Sequence, residues 1–373
     1  MPDRLTRIRA AIAEEGLDGL LISAPRQETL GQANRRYASG FTGSTGVVLV
    51  TAERAVVAVD FRYIEQAERE CSPRGFEVFA ALHSSKKWFP ELMGHVRAGG
   101  KKLGLSRDDL AYGDFLALQG LVEAMPSLDR PELVAAPPIV ERLRRVKDGD
   151  ELGLLQRAID IGDRSFERAR ETIQAGQTET AIADGIEAAY REFGADGPSF
   201  SSIVAGGAWS AMPHASPRPQ PVHESEPIVI DMGARYRGYC SDLTRTITIG
   251  AGEAKFGEIY AIVLEAQQTA IERVEAGMTG VQAHALAADV IARHGYGEQF
   301  GHGLGHGVGL EVHEDPYLGP SSEDTLEDGM VFTIEPGIYI PGWGGVRIED
   351  VVVLENGRAC VLSHASKLIP AGV

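Results

Sequence analysis

The sequence predicts an α/β (α+β) protein of two domains, and three observations predict it. The chain has 373 residues, beyond the length at which one hydrophobic core keeps growing. Short apolar runs alternate with amphipathic stretches, the pattern of strands interleaved with helices. A turn of the form Ala-Gly-x-Thr occurs twice, with its glycine at 176 and again at 277. Each copy opens an Ala-rich stretch, which points to an internal duplication in the second domain.

In chain order, residues 1–16 set apolar positions at helical spacing among Asp, Arg and Glu, without the continuous apolar stretch of a secretory signal. Leu20 to Ile22 reads as a strand. Gly46 to Val50 and Ala55 to Asp60 flank the turn Thr51-Ala52-Glu53-Arg54 as a hairpin, and Arg62 to Glu70 follows as a helix. The pattern breaks at Ala135-Ala136-Pro137-Pro138, before a charged helical segment from Val140 to Lys147 and another helix from Asp148. This places the domain boundary between residues 136 and 137, giving domains 1–136 and 137–373. In the second domain each copy reads as a Gly-terminated helix, a Thr N-cap, an Ala-rich helix and a closing Gly. The capped helices run from Thr178 to Gly194 and from Thr279 to Gly295. Paired strands follow in each copy, Pro227 to Met232 with Asp242 to Ile249, and Met330 to Ile340 with Gly345 to Leu354.

Composition bounds the function. Hydrophobic residues at 43% and charged residues at 24% describe a globular chain. A formal net charge of -17 argues against nucleic acid as partner, and no apolar run reaches membrane-spanning length. Cys71, Cys240 and Cys360 are odd in number and widely spaced. They predict neither a disulfide framework nor a Cys-x-x-Cys metal site, and a reducing, cytoplasmic location is expected.

The chemistry lies in acids planted inside apolar strands. Asp231 ends Ile228-Val229-Ile230-Asp231, Glu335 ends Val331-Phe332-Thr333-Ile334-Glu335, and Glu349 ends Val346-Arg347-Ile348-Glu349. A buried ionised carboxylate costs several kcal/mol unless a cation accompanies it. Asp242 opens its own strand at a spacing that suits a position facing Asp231 across a hairpin, and Glu335 with Glu349 occupies the matching place in the second copy. Four carboxylates with few nearby arginines call for divalent metal. An imidazole is at hand in Gly301-His302-Gly303-Leu304-Gly305-His306-Gly307-Val308-Gly309. Glycine at alternate positions admits close approach of backbone or ligand while His302 and His306 project. That run is neither a Gly-x-Gly-x-x-Gly dinucleotide turn nor a phosphate loop. His313-Glu314 lacks the second His of a zinc His-Glu-x-x-His helix, because position 317 is Tyr. A Gly-x-Ser-x-Gly elbow is absent from the sequence.

The segments Ile230-Asp231-Met232-Gly233, Ser241-Asp242-Leu243-Thr244-Arg245-Thr246, Gly301 through Glu314, Thr333-Ile334-Glu335-Pro336-Gly337-Ile338-Tyr339 and Val346-Arg347-Ile348-Glu349-Asp350 resemble the motifs of the metallopeptidase family that contains aminopeptidase P, prolidase and methionine aminopeptidase. Tyr37-Ala38-Ser39-Gly40-Phe41-Thr42-Gly43-Ser44 and Asp60-Phe61-Arg62-Tyr63 resemble the creatinase-type N-terminal domain of its Xaa-Pro branch, which makes a methionine aminopeptidase the poorer match. The resemblance implies a pita-bread catalytic domain preceded by a creatinase-like α/β domain. It also implies two divalent metal ions held by Asp231, Asp242, His306, Glu335 and Glu349, with Asp242 and Glu349 bridging. Creatinase itself lacks the full ligand set, so the intact set favours a metal enzyme.

By the same resemblance, His214 and His313 flank a proline-containing peptide, His302 and Arg347 lie nearby, Glu335 moves the proton, and the chain forms a homodimer. Ligand type favours Mn, Co or Zn. A dipeptidase must hold a free proline carboxylate, and the stretch from Glu314 to Val346 contains no Lys or Arg. This favours an Xaa-Pro aminopeptidase over an Xaa-Pro dipeptidase, although Arg35, Arg36 or Arg62 would remain as sources of that charge. A metal-dependent lyase on the same scaffold, or a binding module that has lost catalysis, are the other classes left open, since fold does not decide substrate.

Overall fold

The computed structural model describes residues 3–22, 32–80 and 87–367, and the chain divides into two compact units, Met1–Arg144 and Arg145–Val373. The first unit is built on a six-stranded mixed sheet. Its order is Glu77–Phe79, Ala55–Ala58, Val47–Thr51, Gly19–Ile22, Lys102–Ser106 and Glu132–Ala136. The expected hairpin is there, with Val48 opposite Val57. Asp3 caps the first helix, Arg4–Glu14, by accepting from Thr6 N. Strands Gly19–Ile22, Val47–Thr51 and Ala55–Ala58 are buried throughout, as expected for a sheet covered on both faces.

The compact division falls after the sequence-based boundary. The helix Ile139–Arg145 is held by the first unit, since Tyr37 donates its hydroxyl to Leu143 O and Arg144 donates to Asn34 Oδ1. Arg35 is committed internally. It is 1% exposed and donates to the carbonyls of Gly43 and Gly46, which removes it as a source of charge for a substrate. Arg62 pairs with Asp60 at the surface.

In the second unit, the two helix and strand copies expected from the sequence are present. Helix Glu179–Phe193 has Thr178 as N-cap and Gly194 in the left-handed conformation at its end. Helix Gly280–Arg293 has Thr279 as N-cap, in a reciprocal capping box with Gln282. The strands depart from expectation in an informative way, because each long apolar run of the second copy is broken in two. In the second copy Val331–Ile334 pairs antiparallel with Asp350–Glu355, and Gly337–Ile340 pairs with Gly344–Arg347 in a separate sheet. The chain crosses between these sheets at Glu335-Pro336, where proline cannot donate to a ladder, and again at Ile348-Glu349.

The first copy crosses likewise at Gly233 and at Ser241-Asp242, between the pairs Ile228–Met232 with Leu243–Ile247 and Ala234–Tyr236 with Tyr239–Cys240. Alternate residues of the central strands enter different apolar clusters. Phe332 and Ile334 join one side, Val331 and Val351 the other, so the crossing points lie between layers rather than at a surface. Among the described residues, no helix is long and apolar enough to cross a membrane.

Candidate metal centre

The crossing points put acids where the ladders stop. Asp242 and Glu349 occupy equivalent breaks in the two copies, and both are nearly inaccessible, at 5% and 1%. His306 comes from the short strand Gly305–Gly307. Its flanking glycines are required by close approach: a Cβ on Gly305 would lie 2.0 Å from Thr333 O, and one on Gly307 would lie 2.2 Å from Asp315 O. One ligand atom from each of Asp242, His306 and Glu349 lies within 4.8 Å of the others.

Glu335 joins this group through His306, whose Nε2 is 3.2 Å from Glu335 Oε1 and 3.7 Å from Asp242 Oδ2. The imidazole is oriented by Nδ1, which donates to Gly307 O at 3.1 Å and so leaves Nε2 as the atom aimed at the acids. Asp231 is on the strand Ile228–Met232, with Oδ2 2.7 Å from Arg347 Nη2.

Electrostatics mark the centre as a place for cations. Burial, followed by repulsion from Glu349, Asp231 and Glu335, pushes the Asp242 carboxyl well above its ordinary range. Burial, then Glu335 and Asp231, does the same to Glu349. Asp231 is raised by burial against the pull of Arg347. Glu335 goes the other way: burial would raise it, but the hydrogen bond and charge of His306 hold it down to about 2. Crowded buried carboxylates repel one another, and positive charge relieves both that repulsion and the desolvation. Asp231 Oδ1 is buried and accepts no hydrogen bond, an orphan oxygen that a cation would satisfy. The five residues named from the sequence therefore fit a divalent metal site in donor type and in charge, and three of them form its compact heart.

The remaining sequence-based candidates are distributed around this heart. His313 is exposed on the loop after Gly309, with its ring centroid 4.2 Å from that of His306. His302 donates from Nδ1 to Gly303 O at 2.7 Å, and its Nε2 lies 3.1 Å from the Tyr339 hydroxyl. Burial holds His302 below the ordinary His range, with the charge of Arg347 adding to it, and burial with neighbouring His306 does the same to His313. His214 is itself exposed.

Two expectations need correction. Asp231 does not face Asp242: the register sets Asp231 opposite Thr244 and Met232 opposite Leu243, and it continues unshifted into Arg235 opposite Cys240, which leaves Asp242 across from Gly233. Arg347, which the family resemblance put near the substrate, is 3% exposed and donates to Asp231, Tyr339 and Thr244. Arginine charge among the acids was thereby underestimated.

Three residues of the centre escaped the sequence reading. Thr244 Oγ1 donates to Glu349 Oε2 at 2.7 Å, and Thr333 Oγ1 donates to Glu335 Oε1 at 2.9 Å while accepting from His306 N. Tyr339 joins Arg347 to His302. Both threonines are fully buried in apolar strands, so the argument that singled out the acids, a polar group where none should be, applied to them as well.

Residues 153–356 match the description of metallopeptidase family M24, and residues 4–146 match the creatinase/prolidase N-terminal domain. An Xaa-Pro dipeptidase from Pyrococcus horikoshii is 35% identical over 371 residues, covering 99% of each chain. Among solved structures, an Xaa-Pro dipeptidase from Bacillus anthracis superposes with a TM-score of 0.89 at 39% identity, covering 98% of each chain. An X-Pro aminopeptidase from Thermotoga maritima gives 0.87 at 35% identity over 96% of this chain and 99% of its own. With its creatinase-type first domain, its pita-bread second domain and an acid-lined centre suited to divalent metal, the chain belongs to metallopeptidase family M24.

Proposed function

We propose that this enzyme hydrolyses the bond between an N-terminal residue and a following proline, using two divalent metal ions held by Asp231, Asp242, His306, Glu335 and Glu349. The observation that carries the proposal is the convergence of Asp242, His306 and Glu349 within 4.8 Å, beside Glu335 and an Asp231 oxygen without a hydrogen bond. Such ions supply Lewis acidity and acidify water at neutral pH. Mn, Co and Zn suit this donor set.

The chain's own side chains do the rest. Glu335, steadied by Thr333, accepts a proton from the attacking water and returns it to the departing proline nitrogen. His313 beside His306 and His214 from its loop hold the peptide so that its carbonyl lies where the acids would hold the metal. His302, with its Nδ1 proton on Gly303 O, keeps Nε2 toward Tyr339 and shapes the wall behind the substrate. Arg347 orients Asp231 through Nη2 alone.

The preference for longer peptides drawn from the missing Lys and Arg between residues 314 and 346 is opposed by full-length relatives named Xaa-Pro dipeptidase at 35% and 39% identity. We therefore take Xaa-Pro dipeptides as the first substrate class and Xaa-Pro-Xaa peptides as the second, which the Thermotoga relative supports. A homodimer and a cytoplasmic location belong to the same proposal. Metal content measured beside hydrolysis of an Ala-Pro dipeptide and an Ala-Pro-Ala tripeptide tests it. Cleavage of the dipeptide alone supports the dipeptidase, release of Ala from the tripeptide alone supports the aminopeptidase, and hydrolysis of neither with two metals bound defeats the peptidase reading.

A further inference from the structure

Between the strands Ile203–Gly206 and Ile228–Met232 runs the segment that carries His214, and one carboxylate closes its neck. Glu179 is the first residue of helix Glu179–Phe193, and its side chain is 1% exposed. Its Oε1 accepts from Gly206 N at 3.0 Å, and its Oε2 accepts from Arg218 N at 2.8 Å. The stretch from Gly206 to Arg218, which carries His214, thus has both its ends tied to the two oxygens of a single side chain. Arg218 closes the clasp with its guanidinium, Nη2 to Oε1 at 2.7 Å and Nε to Oε2 at 3.0 Å. This forked, charge-assisted geometry is the strongest that side chains offer. The same guanidinium lies 4.3 Å over the ring of Trp209, whose Nε1 donates across the loop to Ser216 O at 3.1 Å.

The loop is also tied to the metal centre. Ser210 Oγ accepts from Gly345 N at 2.8 Å, and Arg347, two residues further along that strand, approaches Pro213 O at 3.4 Å. Pro213 precedes His214. A backbone fastened at its neck and against the strand that bears Arg347 holds His214 in place before substrate arrives. An untied loop of this length would have to be ordered during binding, at a cost subtracted from affinity.

We propose that Glu179 and Arg218 are positioning residues for substrate, acting through His214: the clasp presents that imidazole to the peptide in advance. This rests on the reading of His214 as a substrate contact. A merely structural clasp would stabilise the fold and leave Michaelis parameters alone.

The test uses the metal-loaded full chain and an Ala-Pro dipeptide or Ala-Pro-Ala tripeptide, whichever is cleaved. Arg218 is about one-third exposed, and Glu179 keeps its two backbone donors without it, so Arg218→Met should fold. Melting temperature and metal content check this, and Arg218→Lys serves as a second variant that keeps charge without the fork. Arg218→Met should lower kcat/KM about tenfold, mainly through KM, with Arg218→Lys between it and the parent. In a cycle with His214→Ala, the double variant should be no worse than His214→Ala alone, because both remove the same contact. Unchanged kinetics in Arg218→Met, or effects that multiply in the double variant, overturn the clasp while leaving the His214 reading intact. A His214→Ala protein with parental kinetics instead removes the reading of His214, and the clasp with it.

Discussion

Arg347 donates through Nη2 to Asp231 Oδ2 at 2.7 Å, and the other oxygen of that carboxylate, Oδ1, is buried without a hydrogen bond. One side of Asp231 is thus neutralised and fixed while the other is left for a cation. Arg347→Met removes the counter-charge and the links to Tyr339 and Thr244 together. Losing one partner of a buried pair costs about 3–5 kcal/mol of stability, and losing an outer-shell anchor weakens metal affinity about 10–100-fold. Thermal melting and calorimetric metal titration measure the two effects. Parental values for both would show that the pair has no part in holding the centre.

The buried acids make the stability of metal-free protein depend on pH in a direction that can be worked out. Asp242 and Glu349 have folded pKa values well above their ordinary 3.8 and 4.5. Above those ordinary values the folded state therefore binds more protons than the unfolded one, and stability falls as pH rises. His306, raised above its ordinary 6.5, adds stability that is present below that value and lost as pH climbs through its folded pKa. Glu335, held down to about 2, acts oppositely but only below its ordinary 4.5. The melting temperature of chelator-treated protein should fall from pH 5 upward, and saturating Mn should flatten or reverse the trend, adding about 2.7 kcal/mol at a hundredfold excess over Kd. Asp242→Asn should stabilise the metal-free protein by on the order of 1–2 kcal/mol while removing metal-dependent activity. A metal-free protein that gains stability with pH above 5 would contradict the crowding of charge described for the centre.

Glu335→Gln keeps the size of the side chain and its contact with Thr333 but removes the proton acceptor. Turnover should drop by about 10²–10⁴, the usual contribution of a positioned acid or base, with an unchanged circular dichroism spectrum. Near-parental turnover in a metal-replete sample would assign the proton transfer elsewhere.

Gly305→Ala tests the close approach that the alternating glycines permit. The added methyl would lie 2.0 Å from Thr333 O and 2.7 Å from Thr333 Oγ1, the hydroxyl that holds both His306 N and Glu335. Overpacking of this kind costs about 1–3 kcal/mol, and here it should also lower metal occupancy. Gly301→Ala, whose added Cβ meets nothing within 4 Å, is the matched control. Equal behaviour of the two variants would remove the argument from close approach.

Much of the centre could be read from residues alone because the reasoning did not depend on where they go. Asp231, Glu335 and Glu349 interrupt runs of Ile, Val and Phe, and burial of charge is unfavourable wherever the run is packed. The glycines around His306 were legible for the same reason, since a missing side chain signals a close approach before its partner is known. The register was not legible. The alternation of apolar residues does not say where the chain crosses between sheets, at Gly233, Glu335-Pro336 and Glu349, and only the observed pairing shows that Asp231 faces Thr244.

Arg347 shows the same limit from the side of charge. The family resemblance put it near the substrate, and packing shows where its guanidinium is held, by Asp231, Tyr339 and Thr244. By itself the sequence determined the two-domain class, the repeated Thr-capped helices and the acids and imidazole of the centre, because capping, periodicity and the expense of buried charge are local properties of residues. The tertiary structure alone decided how closely those carboxylates approach one another, which is neutralised by arginine, and how Glu179 ties Gly206 to Arg218 across the His214 loop. Those are distances between residues far apart in the chain, and distances of that kind exist only once the two copies are packed.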